Sequence, residues 1–174
     1  MRILALCMDS TDYNSKSHEI MVMEELAKKG LQIVLVTERL PFGYDKEIPQ
    51  NVKHFVMPIN SELSEEQMNT LLSERYDVAF CSSFPGVKYV TKIARQQGIK
   101  SVCQILDVPI FRLKFDHWNK IWRDNAKLLE QADVIVGNIE ITKELLIQLN
   151  PNLKDKIVTV YYGINTDQAD SVPD

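Results

Sequence analysis

ADVIVGNIEITKELLIQLNPNLKDKIVTVYYGIN, residues Ala132 to Asn165, decides the fold class. Val134-Ile135-Val136 is an unbroken β-branched run, the pattern of a strand covered on both faces. Glu140 to Leu149 follows with helical spacing, Leu145, Leu146 and Leu149 falling on one side, and Asn150-Pro151 stops it. Ile157 to Tyr161 then opens a second strand that ends at Gly163. This is one βαβ unit in about thirty residues.

The rest of the chain repeats that grammar. Strands are expected at Ile3–Met8, Leu31–Thr37, Val52–Met57, Asp77–Cys81 and Val102–Leu106. A helix from His18 to Lys29 ends at Gly30, and Ser64-Glu65-Glu66-Gln67 forms a capping box that opens a helix to about Glu74. Val87–Gln97 is helical and closed by Gly98, and a further helix spans about Asp116 to Glu130. Seven strands alternating with helices predict an α/β fold: a three-layer, Rossmann-like open sheet, mostly parallel, with helices on both faces. Such sheets place ligands beyond the carboxyl ends of their strands. The loops of interest are therefore 9–17, 38–51, 82–86, 107–115 and 137–139.

Bulk composition narrows the function. The 174 residues suffice for one domain with a proper core. A net charge of −4 argues against a nucleic-acid partner, which selects a basic face. No apolar run approaches the ~18 residues of a membrane span, and the short apolar run after Arg2 reads as a strand rather than a leader. Cys7, Cys81 and Cys103 lie far apart, each in or beside an apolar run, so they are expected to be buried reduced thiols. They lack the paired short spacings of a zinc site, and no metal is expected.

The loops supply the candidate site. Asp9 to Ser17 contains no glycine, and the chain has no G-x-G-x-x-G or P-loop, which argues against a nicotinamide or ATP site in this domain. Asn14, Ser15 and Lys16 could instead hydrogen-bond a polyhydroxylated ligand. His18, opening the first helix, reads as a surface residue or as a donor at the cleft. Ser82 and Ser83 suit a sugar or phosphate, and equally suit helix capping. Asp107 follows an apolar strand directly, where catalytic carboxylates of open sheets sit. Beyond it Phe111, Trp118 and Trp122 mix with Arg112 and Lys114. They form either core aromatics with solvated bases, or a surface for an anionic lipid interface or lipid-linked acceptor.

Ala132-Asp133-Val134-Ile135-Val136, Glu140, Thr142-Lys143-Glu144, Lys156-Ile157 and Gly163-Ile164 together resemble the end of the N-terminal domain of family 4 glycosyltransferases of the GT-B fold. His18-Glu19 through Gly30, Val34 to Thr37, and Tyr76-Asp77-Val78 through Ile99 are similar to earlier segments of that family. Several positions depart from it: Asn14–Ser17 replaces a glycine-containing loop, Cys81-Ser82-Ser83 replaces a His-x-His, Leu106 stands where a histidine is usual, and Tyr162 and Asn165 replace the asparagine and aspartate of the closing motif.

The resemblance implies an N-terminal domain at 1–165, the start of an interdomain connector at 166–174, and a C-terminal donor-binding domain that is not among these residues. It implies a transferase that moves sugar from a nucleotide-sugar to a hydroxyl of a glycan or lipid-linked acceptor, for polysaccharide biosynthesis. The nucleotide-sugar is a substrate held by the other half, so no cofactor is required. Asp107 becomes the base candidate. Asn14, Ser15, Lys16, His18, Ser82, Ser83, Arg112 and Lys114 become acceptor contacts. The setting is cytoplasmic, with peripheral contact at the inner membrane face through Phe111, Trp118 and Trp122. Two rivals stand beside it. One is a non-catalytic glycosyltransferase-like module that binds a glycan or protein. The other is a flavodoxin-like or receiver domain, for which Asp9 and Asp12 are only loosely placed and the chain is long.

Overall fold

The computed structural model describes residues 1–7, 18–38, 48–57, 62–105 and 116–161, with the backbone alone at 18 and 116–118. Strands β1 (Arg2–Cys7), β2 (Gln32–Thr37), β3 (Val52–Val56), β4 (Val78–Cys81), β5 (Lys100–Ile105), β6 (Val134–Gly137) and β7 (Ile157–Thr159) form one sheet. Between them run helices α1 (His18–Lys28), α2 (Glu65–Leu72), α3 (Phe84–Gln97), α4 (Asp116–Leu128) and α5 (Glu140–Leu149). The strand order is β3-β2-β1-β4-β5-β6-β7, and every pair is parallel. The Rossmann-like open sheet expected from the alternation is thus what the chain adopts.

Period-two burial explains why these strands are central. In β1, Ile3, Ala5 and Cys7 join Ile33, Leu35 and Val52 under Ile20, Met23 and Ala27 of α1. Leu4 and Leu6 face the opposite way, with Val34, Val36, Ala79, Cys81, Cys103, Ile105 and Ile135, beneath residues of α2 to α5. Each fully buried leucine contributes about 1.5–3 kcal/mol over an exposed one. The two faces are unequally covered. On the α1 side β4 to β7 present Val102, Gln104, Val134 and Val136 only half-buried, and Val158 is 46% exposed.

Local chemistry sets the element ends. Ser64 caps α2 with both halves of the capping box, its hydroxyl accepting from Gln67 N–H and the Gln67 side chain accepting from Ser64 N–H. That helix ends at Leu72 rather than near Glu74, because Ser73 closes it. Gly98 adopts φ 68° after α3, a left-handed turn that glycine takes without strain. Asn51 ties the end of α1 to β2, donating from its amide to the carbonyls of Ala27 and Leu31 at 2.6 Å each.

Two further expectations change. Helix α3 begins at Phe84, three residues before Val87, because Pro85 fits the first helical turn, where no N–H is needed. Trp122 is buried and stands edge-on to Phe84, ring centroids 4.9 Å apart, so it packs α4 on α3 and offers nothing to a membrane surface. Among the described residues no helix is long and apolar enough to cross a membrane.

Candidate functional site

The strand order reverses between β1 and β4. From β1 the chain moves outward through β2 and β3; it then crosses back to β4 and moves the other way. Helices leaving β1 and β4 consequently depart to opposite faces, and their N-terminal turns part at the carboxyl ends of these two strands. That opening is where open α/β sheets take ligands. Its described rim consists of Cys7, the first turn of α1, and Cys81 to Gly86.

Ser82 and Ser83, both expected at the site, lie on this rim. The Ser82 N–H donates to Leu6 O at 3.3 Å, continuing the β1–β4 ladder, and the Ser82 hydroxyl bonds the Cys7 thiol. Burial pushes the Cys7 pKa to about 12, the Glu19 charge adds to that, and the Ser82 bond opposes it. Burial likewise raises the Cys81 thiol well above its ordinary value, helped by the Cys103 thiol 3.4 Å away and opposed by the Ser83 N–H. Thiols held neutral in this way are not nucleophiles. They are packing groups, as their apolar neighbours in sequence indicated.

Ser83 behaves differently. It is the N-cap residue of α3, with φ −150° and ψ 158°, yet its side chain caps nothing. A capping hydroxyl normally accepts from the second or third N–H of the helix. Here the second helical residue is Pro85, which has none, and the Gly86 N–H donates to Ser83 O at 3.1 Å. The Ser83 Oγ is left buried with no hydrogen-bond partner, in a residue only 5% exposed. Helix α3 can approach β4 this closely because Gly86 lacks a Cβ, which would lie 2.7 Å from the Cys81 Cβ.

Glu19, in the first turn of α1, was overlooked as a site residue. It is 8% exposed and near enough to Cys7 to raise its pKa. Among the described residues its carboxylate makes no hydrogen bond or ion pair. The helix N-terminus supplies part of its compensation. Other polar side chains near strand ends are satisfied: Thr37 shares a 2.8 Å hydrogen bond with His54, and Asn138 accepts from the Thr142 hydroxyl at 3.2 Å.

The remaining expected residues divide simply. His18 begins α1, at the same crevice as Glu19, with its side chain outside the description. Asn14, Ser15, Lys16, Asp107, Arg112 and Lys114 lie outside the described residues, in the segments that follow β1 and β5. So do Phe111 and, as a side chain, Trp118.

A crevice at the switch point of a parallel, doubly wound sheet defines a broad class of ligand-binding α/β proteins. Within it, the chain aligns with Anabaena Alr3699/HepE in complex with UDP at a TM-score of 0.69 and 13% identity. That alignment covers 96% of this chain and 45% of the other. The same protein in complex with UDP and glucose aligns at a TM-score of 0.68. A glycosyltransferase from Rickettsia africae aligns at 0.64 and 15% identity, over 95% of this chain and 44% of that one. The chain therefore spans less than half the length of these structures, and it shares their fold over nearly all of its own. No protein-family description and no curated protein matches the sequence.

Proposed function

We propose that this chain is the acceptor-side half of a glycosyltransferase, similar to the N-terminal domain of family 4 enzymes. It would take a sugar from a nucleotide-sugar to a hydroxyl of a glycan or lipid-linked acceptor. The observation that carries the reading is the alignment of 96% of the chain with less than half of a protein that binds UDP and glucose. In such a reaction the acceptor oxygen bonds to the anomeric carbon, the bond from that carbon to the diphosphate breaks, and the hydroxyl proton passes to a base. Asp107 remains the base candidate. Asn14, Ser15, Lys16, His18, Ser82, Ser83, Arg112 and Lys114 remain candidate acceptor contacts. The hydroxyl-bearing rim at Ser82 and Ser83 is compatible with such a ligand.

The test is the product of the whole gene encoding this chain, assayed against a panel of UDP- and GDP-sugars. Release of nucleoside diphosphate that falls at least tenfold in Asp107→Asn supports the transferase and its base. Release that survives the substitution keeps the transferase and removes Asp107 from the chemistry. No release with any donor favours the glycan- or protein-binding module instead.

A further inference from the structure

Helices α2 and α3 cover the same face of the sheet and both run against the strands, so they are parallel to each other. Between them a groove encloses about 480 Å³, within the range of small-ligand sites. Leu63, Met68 and Tyr89 are buried beneath it, with Leu72 half-buried beside them. One wall belongs to α2, with Glu65 and Asn69 one turn apart. The other belongs to α3, with Lys88, Lys92 and Gln96 at successive turns.

The groove is bridged at one end, where Lys88 Nζ pairs with Glu62 at 2.5 Å. The same ammonium lies 4.9 Å from the centre of the Tyr89 ring. Glu65, Asn69, Lys92 and Gln96 are exposed, and their side chains make no hydrogen bond or ion pair with any described residue. Tyr89 is only 7% exposed; its hydroxyl accepts the Leu63 N–H at 2.7 Å, and no described residue accepts its own proton. A nearly buried hydroxyl on the groove therefore keeps a proton to give.

We propose that this groove binds an extended peptide segment of a partner protein, in which an apolar residue stands between a basic and an acidic one. Peptide groups offer both N–H and C=O, and an extended segment presents them along both edges. The carboxamides of Asn69 and Gln96 carry the same two groups and stand on opposite walls, so each serves one edge. The Tyr89 hydroxyl adds a donor for a main-chain carbonyl. Successive side chains of an extended segment point opposite ways. The apolar one enters the groove, where the unbranched Met68 adapts to its shape. Its neighbours rise to the rim, the basic one to Glu65 and the acidic one to Lys92. Other ligand classes fit less well. Glu62 and Glu65 balance Lys88 and Lys92, so no net charge draws a phosphate or a metal ion. Tyr89 is the one aromatic residue among the described lining, and with its ring buried and Lys88 beside it no aromatic face is open to a sugar.

No residue of the groove lies on the β1–β4 rim, so this proposal and the transferase reading stand or fall separately. The test is ¹⁵N–¹H correlation spectra of the 174-residue chain titrated with capped pentapeptides to about 5 mM, a range that detects weak binding. The probes are glycine-lysine-leucine-aspartate-glycine and its reverse, with serine in place of leucine as one control and aspartate in place of lysine as another. At least one of the first two should shift the side-chain amide signals of Asn69 and Gln96 and the backbone amides of Leu63 and Lys92. Affinity should fall about fivefold in Asn69→Ala and in Gln96→Ala, and again when serine replaces leucine. Glu65→Lys should turn the preference toward the peptide with aspartate on both sides. All three positions are exposed, so the variants fold, and Arg95→Ala on the same helix should change nothing.

Silence of the Asn69 and Gln96 side-chain signals toward every peptide overturns the proposal. So does binding that both alanine variants leave intact, or binding to which the leucine is irrelevant. Inorganic phosphate or glucose shifting the same signals more strongly than any peptide would assign the groove to another ligand class and overturn it as well.

Discussion

Asp133 and Ser101 are joined by three hydrogen bonds across the start of β5 and β6. The Ser101 N–H and hydroxyl donate to one carboxylate oxygen at 2.9 and 2.8 Å, and the Asp133 N–H returns a bond to the hydroxyl at 3.0 Å. Lys100 adds an ion pair at 2.9 Å to the other oxygen. This latch sits at the amino ends of the strands, opposite the crevice, and fixes the register of β5 on β6.

The latch makes stability pH-dependent. Burial raises the Asp133 pKa, but the Ser101 N–H, the Lys100 ammonium and the Ser101 hydroxyl outweigh it and hold the group at about 2. The folded value lies below the unfolded one, so the contribution is complete above about pH 4 and is lost as pH falls through about 2. The side chain is 34% exposed, and solvent screening reduces the contribution to about 1 kcal/mol. Asp133→Asn should lower the urea-unfolding free energy by that amount at pH 7. The gap between variant and parent should close toward pH 2, and a gap of equal size there would refute the electrostatic account.

Gly86 is predicted to be intolerant of a methyl group. A Cβ there meets the Cys81 Cβ at 2.7 Å, between a strand and a helix that are both fixed by core packing. Gly86→Ala should cost about 1–3 kcal/mol in thermal or urea unfolding, as overpacked sites do. Cys81→Ala should not relieve the clash, since alanine keeps the Cβ. Full rescue by that second change would place the strain elsewhere.

Asn51 should matter out of proportion to its position in a turn. Its amide satisfies the carbonyls of Ala27 and Leu31, and Asn51→Ala strips both of that donor. A loss of about 1–2 kcal/mol is expected, with hydrogen exchange accelerated first in the last turn of α1. Loss of protection confined to β3 would contradict this assignment.

The cysteines should be cryptic. All three are buried, out of reach of a reagent in solution. At pH 8 an aromatic disulfide reagent should label none of them within minutes in buffer and all three in 6 M guanidinium. Rapid labelling of a single cysteine in buffer would show that its strand end opens locally.

The legible part of this molecule was periodic. β-branched runs such as Val134–Val136 and Ile33–Val36 announced buried parallel strands, and Ser64–Gln67 announced a helix start through reciprocal bonding. The start of α3 was misjudged because Pro85 reads as a breaker when the helix is not yet placed, although it suits a first turn. Trp122 carried the same ambiguity: four residues from Trp118 and flanked by bases, it fits a surface stripe as well as a core. Tertiary packing against Phe84 decides between them. Strand order was hidden, since nothing local says that β4 returns to β1. Glu19 was hidden for the same reason, because an acid in a first turn looks like an ordinary dipole partner until burial around it is known. The Ser83 orphan was readable in principle from Ser-Phe-Pro-Gly, in which proline removes the N–H that a capping serine requires.

The position of β1 governs the order in which the chain can assemble. Arg2, its first residue, donates its N–H to the carboxylate of Asp77, 75 positions later, and accepts from the Asp77 N–H, and the Arg2 side chain reaches Glu74, which Lys53 also engages. Synthesis at roughly 5–20 residues per second therefore leaves one edge of the first strand vacant for several seconds after it emerges. Nascent chains stalled short of Val78 should bind a chaperone through the Leu4–Leu6 segment and be cut there by protease, and chains stalled some forty residues later should not. A strand that leaves the ribosome well ahead of its partner is thus among the last to be locked in place.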